Sequence, residues 1–116
     1  MNSIEVAEKI ALVFEEIQAQ NPLVQCITNG VTINDCANAL LAVGASPVMA
    51  AGHDAAEMAE LASSLVLNIG TINTGTEKAM REAAHVATRR GIPIVLDPVG
   101  AGSTPTRLRL AQELIQ

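Results

Sequence analysis

Residues 92–107, with the sequence IPIVLDPVGAGSTPTR, limit what this chain can fold into more than any other segment. The segment begins with a continuous run of apolar, mostly β-branched residues, which is typical of a strand buried on both faces of a parallel sheet. The run ends at Asp97 and Pro98, and proline cannot donate to a sheet ladder. A glycine-rich loop follows, and Pro105 suits the first turn of a helix. The segment therefore predicts a strand near 92–96, a loop, and a final helix from Pro105.

The same alternation of strand and helix runs through the rest of the chain. Apolar runs predict three more strands, near 23–27, 47–50 and 65–69. Asn2 or Ser3 can cap a first helix. Three later helices open with the spacing of a capping box: Thr32 with Asp35, Asp54 with Glu57, and Thr74 with Glu77. Short connections between strands and helices predict one α/β domain, a parallel sheet with helices on both faces.

Apolar residues at helical spacing predict which helix faces are buried. In the first helix these residues are Val6, Ile10, Val13, Phe14 and Ile17. In the helix that starts at Ile33 they are Ala37, Leu40, Leu41 and Ala45. In the helix before Gly91 they are Ala79, Met80, Ala83, Val86 and Ala87. His85 lies beside that last stripe, and we expect it to be partly buried with a structural role.

Composition and charge exclude several classes of function. The formal charge is −5 and Phe14 is the only aromatic residue, so a phosphate-neutralising patch and a base-stacking platform are both missing. No apolar run approaches the roughly 20 residues of a membrane span. The N-terminus does not resemble a signal peptide, so a cytoplasmic location is expected, with Cys26 and Cys36 as reduced thiols. Neither cysteine has metal-ligand spacing or an evident partner base, so neither is a candidate nucleophile.

Small polar residues and glycines gather where the predicted strands end, at 28–30, 49–53, 68–71 and 97–104. The carboxyl ends of parallel strands share one edge of a sheet, and open α/β sheets bind ligands there. Asp97 is the one carboxylate in this set that directly follows a buried strand. It is either a structural cap for local backbone amides or a ligand for Mg²⁺ that bridges to phosphates. His53 is expected to be a surface residue, and the glycines match neither a dinucleotide fingerprint nor a phosphate loop.

Three segments together carry a family resemblance. PLVQCITNGVTINDCANALLAVGASPVMA, LVLNIGT and GIPIVLDPVGAGSTPTR resemble hydroxyethylthiazole kinase in unbroken order from Asn21 to about Gln116. The resemblance implies a ribokinase-like fold and ATP-dependent phosphorylation of 4-methyl-5-(2-hydroxyethyl)thiazole in thiamine biosynthesis. It further implies that Asn29 and Met49 line the thiazole pocket with Gly70 nearby, and that Asp97 lies near Mg²⁺ and the polyphosphate. Family members are trimers whose pockets draw on adjacent subunits.

The resemblance also implies that residues 1–116 are the amino-terminal part of a ribokinase-like domain. Members of the family are more than twice as long, and their later segments supply the catalytic residue, the anion hole and most ATP contacts. No catalytic residue is therefore assigned here, and the isolated chain is expected to be inactive and to self-associate. Two alternatives stay open: a non-catalytic ligand-binding or oligomerisation module derived from that kinase, and a flavodoxin-like nucleotide binder. A partner chain that supplies the remaining part is also open.

Overall fold

A computed structural model describes residues 1–116 and confirms the alternation of strands and helices. The elements in chain order are α1 (Ser3–Gln20), β1 (Leu23–Ile27), α2 (Ile33–Ala42), β2 (Ser46–Val48), α3 (Ala55–Ala59), β3 (Ser64–Asn68), α4 (Thr74–Arg90), β4 (Ile94–Asp97) and α5 (Pro105–Ile115). None of the five helices combines the length and the apolarity that a membrane span requires.

The four strands form one parallel sheet in the order β2-β1-β3-β4. The chain starts at β1, moves outward to β2, then crosses back to β3 and continues to β4. This reversal of direction distributes the helices: α2 packs on one face, whereas α3, α4 and α5 pack on the other. The predicted sheet with helices on both faces is confirmed. The reversal also makes the carboxyl ends of β1 and β3 the topological switch point, where open α/β sheets bind ligands.

The main core lies between the sheet and the face that carries α3, α4 and α5. The sheet contributes Ile27, Leu65 and Leu67, Ile69 follows directly after β3, and the helices contribute alanines together with Met80, Val86 and Leu110. The predicted inner face of α4 is confirmed, because all five of its residues are buried: Ala79, Met80, Ala83, Val86 and Ala87. His85, by contrast, is exposed, so its predicted partial burial is wrong. It lies outside the stripe that α4 turns towards the sheet.

A smaller cluster lies under α2. Val24, Cys26 and Ala45 are buried there, and Leu40 packs against them. Leu41 was expected in the same face but is 59% exposed. One ten-residue helix covers only the neighbourhood of β1 and β2, so its buried face is narrower than the apolar pattern suggested.

The prediction for α1 is wrong about burial, although its boundaries and its cap by Asn2 are correct. No residue of α1 is buried, and Ile10, Val13 and Phe14 are 50%, 54% and 43% exposed. An apolar stripe specifies a face that can be buried, but burial also needs a facing element, and only the last turn of α1 meets the rest of the chain. Ile17 there packs on the cluster under α2.

The strand at 92–96 was expected to be buried on both faces, and this is wrong. The strand runs from Ile94 to Asp97 and alternates between partly buried and exposed residues, with Val95 60% exposed. It is an edge strand, and α2 does not reach the face on which Val95 lies. The predicted strands at 47–50 and 65–69 also begin and end slightly earlier, at Ser46–Val48 and Ser64–Asn68.

The three predicted capping boxes are wrong in detail. Thr32 and Asp54 occupy cap positions but make no side-chain capping hydrogen bond. The Oγ1 atom of Thr32 instead lies 3.1 Å from Oγ1 of Thr28. The helix α4 is capped by Asn73, one residue before the expected Thr74, through a reciprocal pair with Thr76. A capping-box spacing of three residues recurs by chance wherever short polar residues are common. The spacing therefore predicted where the helices start but not which side chains make the capping hydrogen bonds.

Candidate functional site at the strand ends

A line of hydrogen-bonded side chains crosses the carboxyl ends of three adjacent strands. Asn29, just after β1, donates from Nδ2 to Oδ1 of Asn68 over 2.9 Å. Asn68, the last residue of β3, donates from Nδ2 to Oδ2 of Asp97 over 2.8 Å. Asp97 is the last residue of β4 and pairs with Asn68 in the parallel register. The amide of Asn68 therefore connects a residue of the expected alcohol pocket to the expected metal ligand.

The start of this line is fixed by the backbone. The Oδ1 atom of Asn29 accepts hydrogen bonds from the backbone N–H groups of Val31 at 3.0 Å and Thr32 at 3.2 Å. These contacts turn the chain from β1 into α2 and hold the Asn29 amide with its NH₂ group towards Asn68. One N–H of Asn29 remains without a partner in the chain, so it is the group that can donate to a ligand.

Gly70 contacts the same line of hydrogen-bonded side chains. Its N–H donates to Oδ1 of Asn68 over 2.8 Å. A Cβ atom at this position would lie 2.8 Å from Nδ2 of Asn29 and 2.9 Å from Oδ1 of Asn68. Real Cβ atoms essentially never lie that close to other atoms, so any larger residue here would displace the Asn29 and Asn68 side chains, although the backbone conformation of Gly70 would allow it. The structure thus brings Asn29, Gly70 and Asp97 together through one residue, Asn68.

The Asp97 carboxylate does not cap its own turn. The nearby loop bonds are made between backbone atoms, from Ala101 N–H to the Pro98 oxygen and from Ser103 N–H to the Gly100 oxygen. The only hydrogen bond to the carboxylate comes from Asn68, so the structural-cap hypothesis is wrong. The second oxygen, Oδ1, is free. A hydrated Mg²⁺ takes only one or two protein carboxylates, so this exposed carboxylate, with one oxygen that has no hydrogen-bond partner, fits such an ion. No group of three or more potential metal ligands occurs in the chain.

Arg107 ties the two loops of the site together. Its guanidinium donates to the carbonyl oxygens of Ile69 at 2.5 Å, Val99 at 3.0 Å and Gly70 at 3.0 Å. It forms none of the salt bridges in the chain. The side chain therefore fixes the loop after β3 against the loop after β4 and leaves its positive charge unpaired beside the site.

Sequence reasoning did not single out Asn68 and Arg107, although the structure places both at the strand ends with Asn29, Gly70 and Asp97. Asn68 carried a usable signal, because an amide that ends an otherwise apolar strand has to find partners at the sheet edge. Arg107 carried none, since a basic residue one turn into a helix is usually a solvated one.

Met49 lies apart from the line of side chains. It follows β2 and packs, partly buried, against the small cluster of Val24, Cys26 and Ala45. It therefore lies beside β1, at the edge of the sheet where the other strands also end. His53 is exposed, as predicted.

The buried Cys26 does not supply a nucleophile. Burial, and secondarily the nearby Cys36 thiol, raises the pKa of Cys26 to about 11. The Cys26 thiol is therefore protonated at neutral pH, and the thiolate that nucleophilic chemistry needs is not formed.

The strand ends form an open surface rather than the closed crevice that the architecture suggested. The largest concavity, about 340 Å³, lies between α4 and α5 and is bordered by Arg81, His85 and Glu113 among others. Of two smaller ones, one is bordered by Gly52 and His53 after β2 together with Lys78, and the other by residues 101–104 of the loop after β4 together with Pro105 and Leu108. None is lined by Asn29, Met49, Gly70 or Asp97. Within this chain, one side of a ligand at the strand ends would stay exposed.

Comparisons with known proteins identify the family to which the chain is related. The model of the hydroxyethylthiazole kinase family matches residues 14–116. The chain is 48% identical to a hydroxyethylthiazole kinase of Methanocella arvoryzae, over 94% of this chain and 41% of that protein. It is 50% identical to one of Desulfosudis oleivorans, over 99% of this chain and 42% of that protein.

A solved structure gives the same result for the fold. The hydroxyethylthiazole kinase protein from Pyrococcus horikoshii OT3 superposes with a TM-score of 0.88 at 46% identity. The match covers 93% of this chain and 43% of that one. The chain thus spans about two fifths of the length of the relatives it matches.

Proposed function

The chain belongs to the hydroxyethylthiazole kinase family, and we propose that its strand ends hold the thiazole alcohol and the Mg²⁺ ion for an ATP-dependent phosphorylation. The observation that carries this proposal is the hydrogen-bonded line from Asn29 through Asn68 to Asp97, at the topological switch point of the sheet. The line joins an amide that can orient an alcohol to a carboxylate that can hold a cation.

The alcohol half of the site uses three residues. The unpartnered N–H of Asn29 orients a polar atom of the thiazole alcohol, and Met49 offers an apolar, polarisable border for the ring. Gly70 has no side chain, so the ring can approach the backbone at the switch point. These roles are supported by the placement of the three residues at adjacent strand ends.

The phosphate half of the site uses Asp97 and the loop that follows it. The free oxygen of Asp97 holds Mg²⁺, which, when bound, offsets negative charge on the phosphates of ATP. The N–H of Gly102 makes no hydrogen bond within the chain and, with the N-terminus of α5, provides donors beside that charge. The unpaired guanidinium of Arg107 adds positive charge at the same edge.

Phosphoryl transfer also needs a catalytic residue and further contacts to ATP, and we propose that these come from the part of the relatives that this chain does not cover. Residues 1–116 alone are therefore expected to bind the alcohol without turning it over. We further propose that the exposed apolar face of α1, formed by Ile10, Val13 and Phe14, is covered by an adjacent subunit in a trimer. Both cysteines are free thiols, which suits work in the cytoplasm.

A chimeric kinase tests the proposal. Residues 1–116 replace the matching segment of the Pyrococcus horikoshii protein, and phosphorylation of the thiazole alcohol by ATP is measured. Asp97→Asn should lower turnover by about 100-fold or more and flatten the Mg²⁺ dependence, because the acceptor oxygen for Asn68 stays while the charge that binds the cation is lost.

Asp54→Asn is the matched control, since Asp54 is an exposed carboxylate without a capping hydrogen bond. Its turnover should equal that of the parent chimera. The proposal fails if Asp97→Asn retains full turnover, or if the chimera folds but does not phosphorylate the alcohol.

A further inference from the structure

We propose that Asn68 is a positioning residue that holds the Asp97 carboxylate in place and connects cation binding there to the alcohol-orienting amide of Asn29. The inference rests on the proposed function for the identity of the cation, Mg²⁺. It adds a residue whose side-chain oxygen is fully used by Asn29 and Gly70 and which acts through its neighbours Asn29 and Asp97.

The orientation of the Asn68 amide is determined by a donor that cannot turn round. The backbone N–H of Gly70 points at one side-chain atom of Asn68 from 2.8 Å, and that atom must therefore be the oxygen. The same oxygen accepts from Nδ2 of Asn29, so both of its lone pairs are used. The NH₂ group then has to face Asp97, where it donates to Oδ2 over 2.8 Å.

The three polar links consequently run in one direction. Backbone N–H groups donate to Asn29, Asn29 donates to Asn68, and Asn68 donates to the carboxylate. Hydrogen bonds in such a series polarise one another, and a negative charge at the end strengthens each of them. The charge of Asp97 therefore contributes to holding Asn29, although the two side chains are joined only through Asn68.

A cation held at the free oxygen of Asp97 would change this balance. It would withdraw electron density from the carboxylate and so weaken Oδ2 as an acceptor for Asn68. That weakening would be passed to the Asn29–Asn68 bond and would change how firmly the Asn29 amide is held. Cation binding at Asp97 and orientation of the alcohol by Asn29 would thereby be coupled through the Asn68 amide, and the coupling would be reciprocal.

The experiment is a Mg²⁺ titration of the isotope-labelled chain, observed by NMR at the side-chain amides of asparagine. In the wild-type chain, the Asn68 and Asn29 amide signals should shift with the same midpoint as the backbone signal of Asp97. The amide of Asn38, exposed on α2, should not move. In Asn68→Ala the Asp97 signal should still respond while the Asn29 signal stays fixed. An Asn29 signal that responds equally in Asn68→Ala, or never responds when Asp97 does, would overturn the proposal.

Asn68→Asp is a second variant for the case that Asn68→Ala does not fold. It keeps an oxygen for Asn29 and Gly70 but replaces the donor to Asp97 with a second carboxylate, so the Gly70 amide signal should stay near its wild-type position. The Asn29 response to Mg²⁺ should nevertheless differ from that of wild type. An unchanged Asn29 response would count against the role of the Asn68 donor.

A double-mutant cycle measured in the absence of metal tests this inference separately from the proposed function. Asn29→Ala and Asp97→Ala are combined, and the unfolding equilibrium constants are compared. The double variant should depart from the product of the single effects by roughly twofold or more, and the departure should vanish on the Asn68→Ala background. Independent effects in the wild-type background would overturn the coupling. Absence of any Mg²⁺ response at Asp97 would instead refute the metal assignment, and the cycle would still decide the role of Asn68.

Discussion

Replacement of Gly70 by alanine should destabilise the chain through two displaced amides. The added Cβ would lie 2.8 Å from Nδ2 of Asn29 and 2.9 Å from Oδ1 of Asn68, so both side chains have to move by several tenths of an ångström. The movement weakens the Asn29–Asn68 bond and the bond from the Gly70 N–H, which are 2.9 and 2.8 Å long.

The size of the effect follows from those two bonds. Each is worth about 0.5–1.5 kcal/mol net, and alanine returns about 0.4–1 kcal/mol by restricting the unfolded chain. We expect a net loss of about 1–2 kcal/mol in the free energy of unfolding. For a domain of this size that corresponds to a fall in Tm of roughly 5–10 °C.

Urea denaturation followed by circular dichroism measures this loss, and Gly102→Ala is the matched control. Gly102 has no positive φ and nothing within 4 Å of an added Cβ, so its replacement should leave the free energy of unfolding within about 0.5 kcal/mol. On the Asn68→Ala background, Gly70→Ala should lose at least half of its effect. Equal stability of Gly70→Ala and Gly102→Ala would refute the close-packing argument.

Three further predictions concern groups outside the line of side chains. The pKa of Cys26 is about 11 in the folded state and near 9 in the unfolded state, so between these values the unfolded chain loses the thiol proton first. The free energy of unfolding should therefore be constant below pH 9 and fall by on the order of 2 kcal/mol towards pH 11. Denaturation at pH 8 and 10 should show a slope that Cys26→Ala reduces, and an unchanged slope would contradict the burial argument. Gln25→Leu removes the donor to the Ala50 and Ala55 oxygens and should lower the free energy of unfolding by about 1–3 kcal/mol, whereas wild-type stability would show that water replaces the bonds. Arg107→Lys cannot reach all three carbonyl oxygens, so amide exchange should accelerate in the loops after β3 and β4, and unaltered exchange there would count against the tie.

The α/β architecture could be predicted because its signals are local. The signals are apolar runs, apolar residues at helical spacing, and the residues Gly91 and Pro105 that end or begin helices. Each acts within a few residues, and together they predicted all four strands and five helices in the right order. The resemblance added the family, which the comparisons show.

Burial could not be predicted where it depends on a distant partner. The stripe of α1 that includes Val13 and Phe14 reads like a core face, and Val95 reads like a buried strand residue. Both are exposed, since nothing in the chain packs on α1 beyond its last turn and α2 is too short to cover β4. The apolar pattern of a sequence shows which face of a helix or strand can be buried, but it does not show which other element packs on that face.

The site was predicted in part for the same reason. Asn29, Gly70 and Asp97 were placed at one edge because parallel strands end together, and the structure joins them. The assignment of ligand roles to these residues and to Met49 stays a prediction. The sequence could have marked Asn68 as an amide at a strand end, but its partner could not be derived, because that depends on the register that sets Asn68 opposite Asp97.

The central claim is that the carboxyl ends of the strands hold the thiazole alcohol, and mapping the alcohol on the labelled chain by NMR tests it most directly. Titration with 4-methyl-5-(2-hydroxyethyl)thiazole should shift the signals of Asn29, Met49 and Gly70, and Gly70→Ala should reduce those shifts while Gly102→Ala preserves them. Shifts confined to the concavity between α4 and α5, around His85 and Glu113, would contradict the account, and so would the absence of any shift at the strand ends.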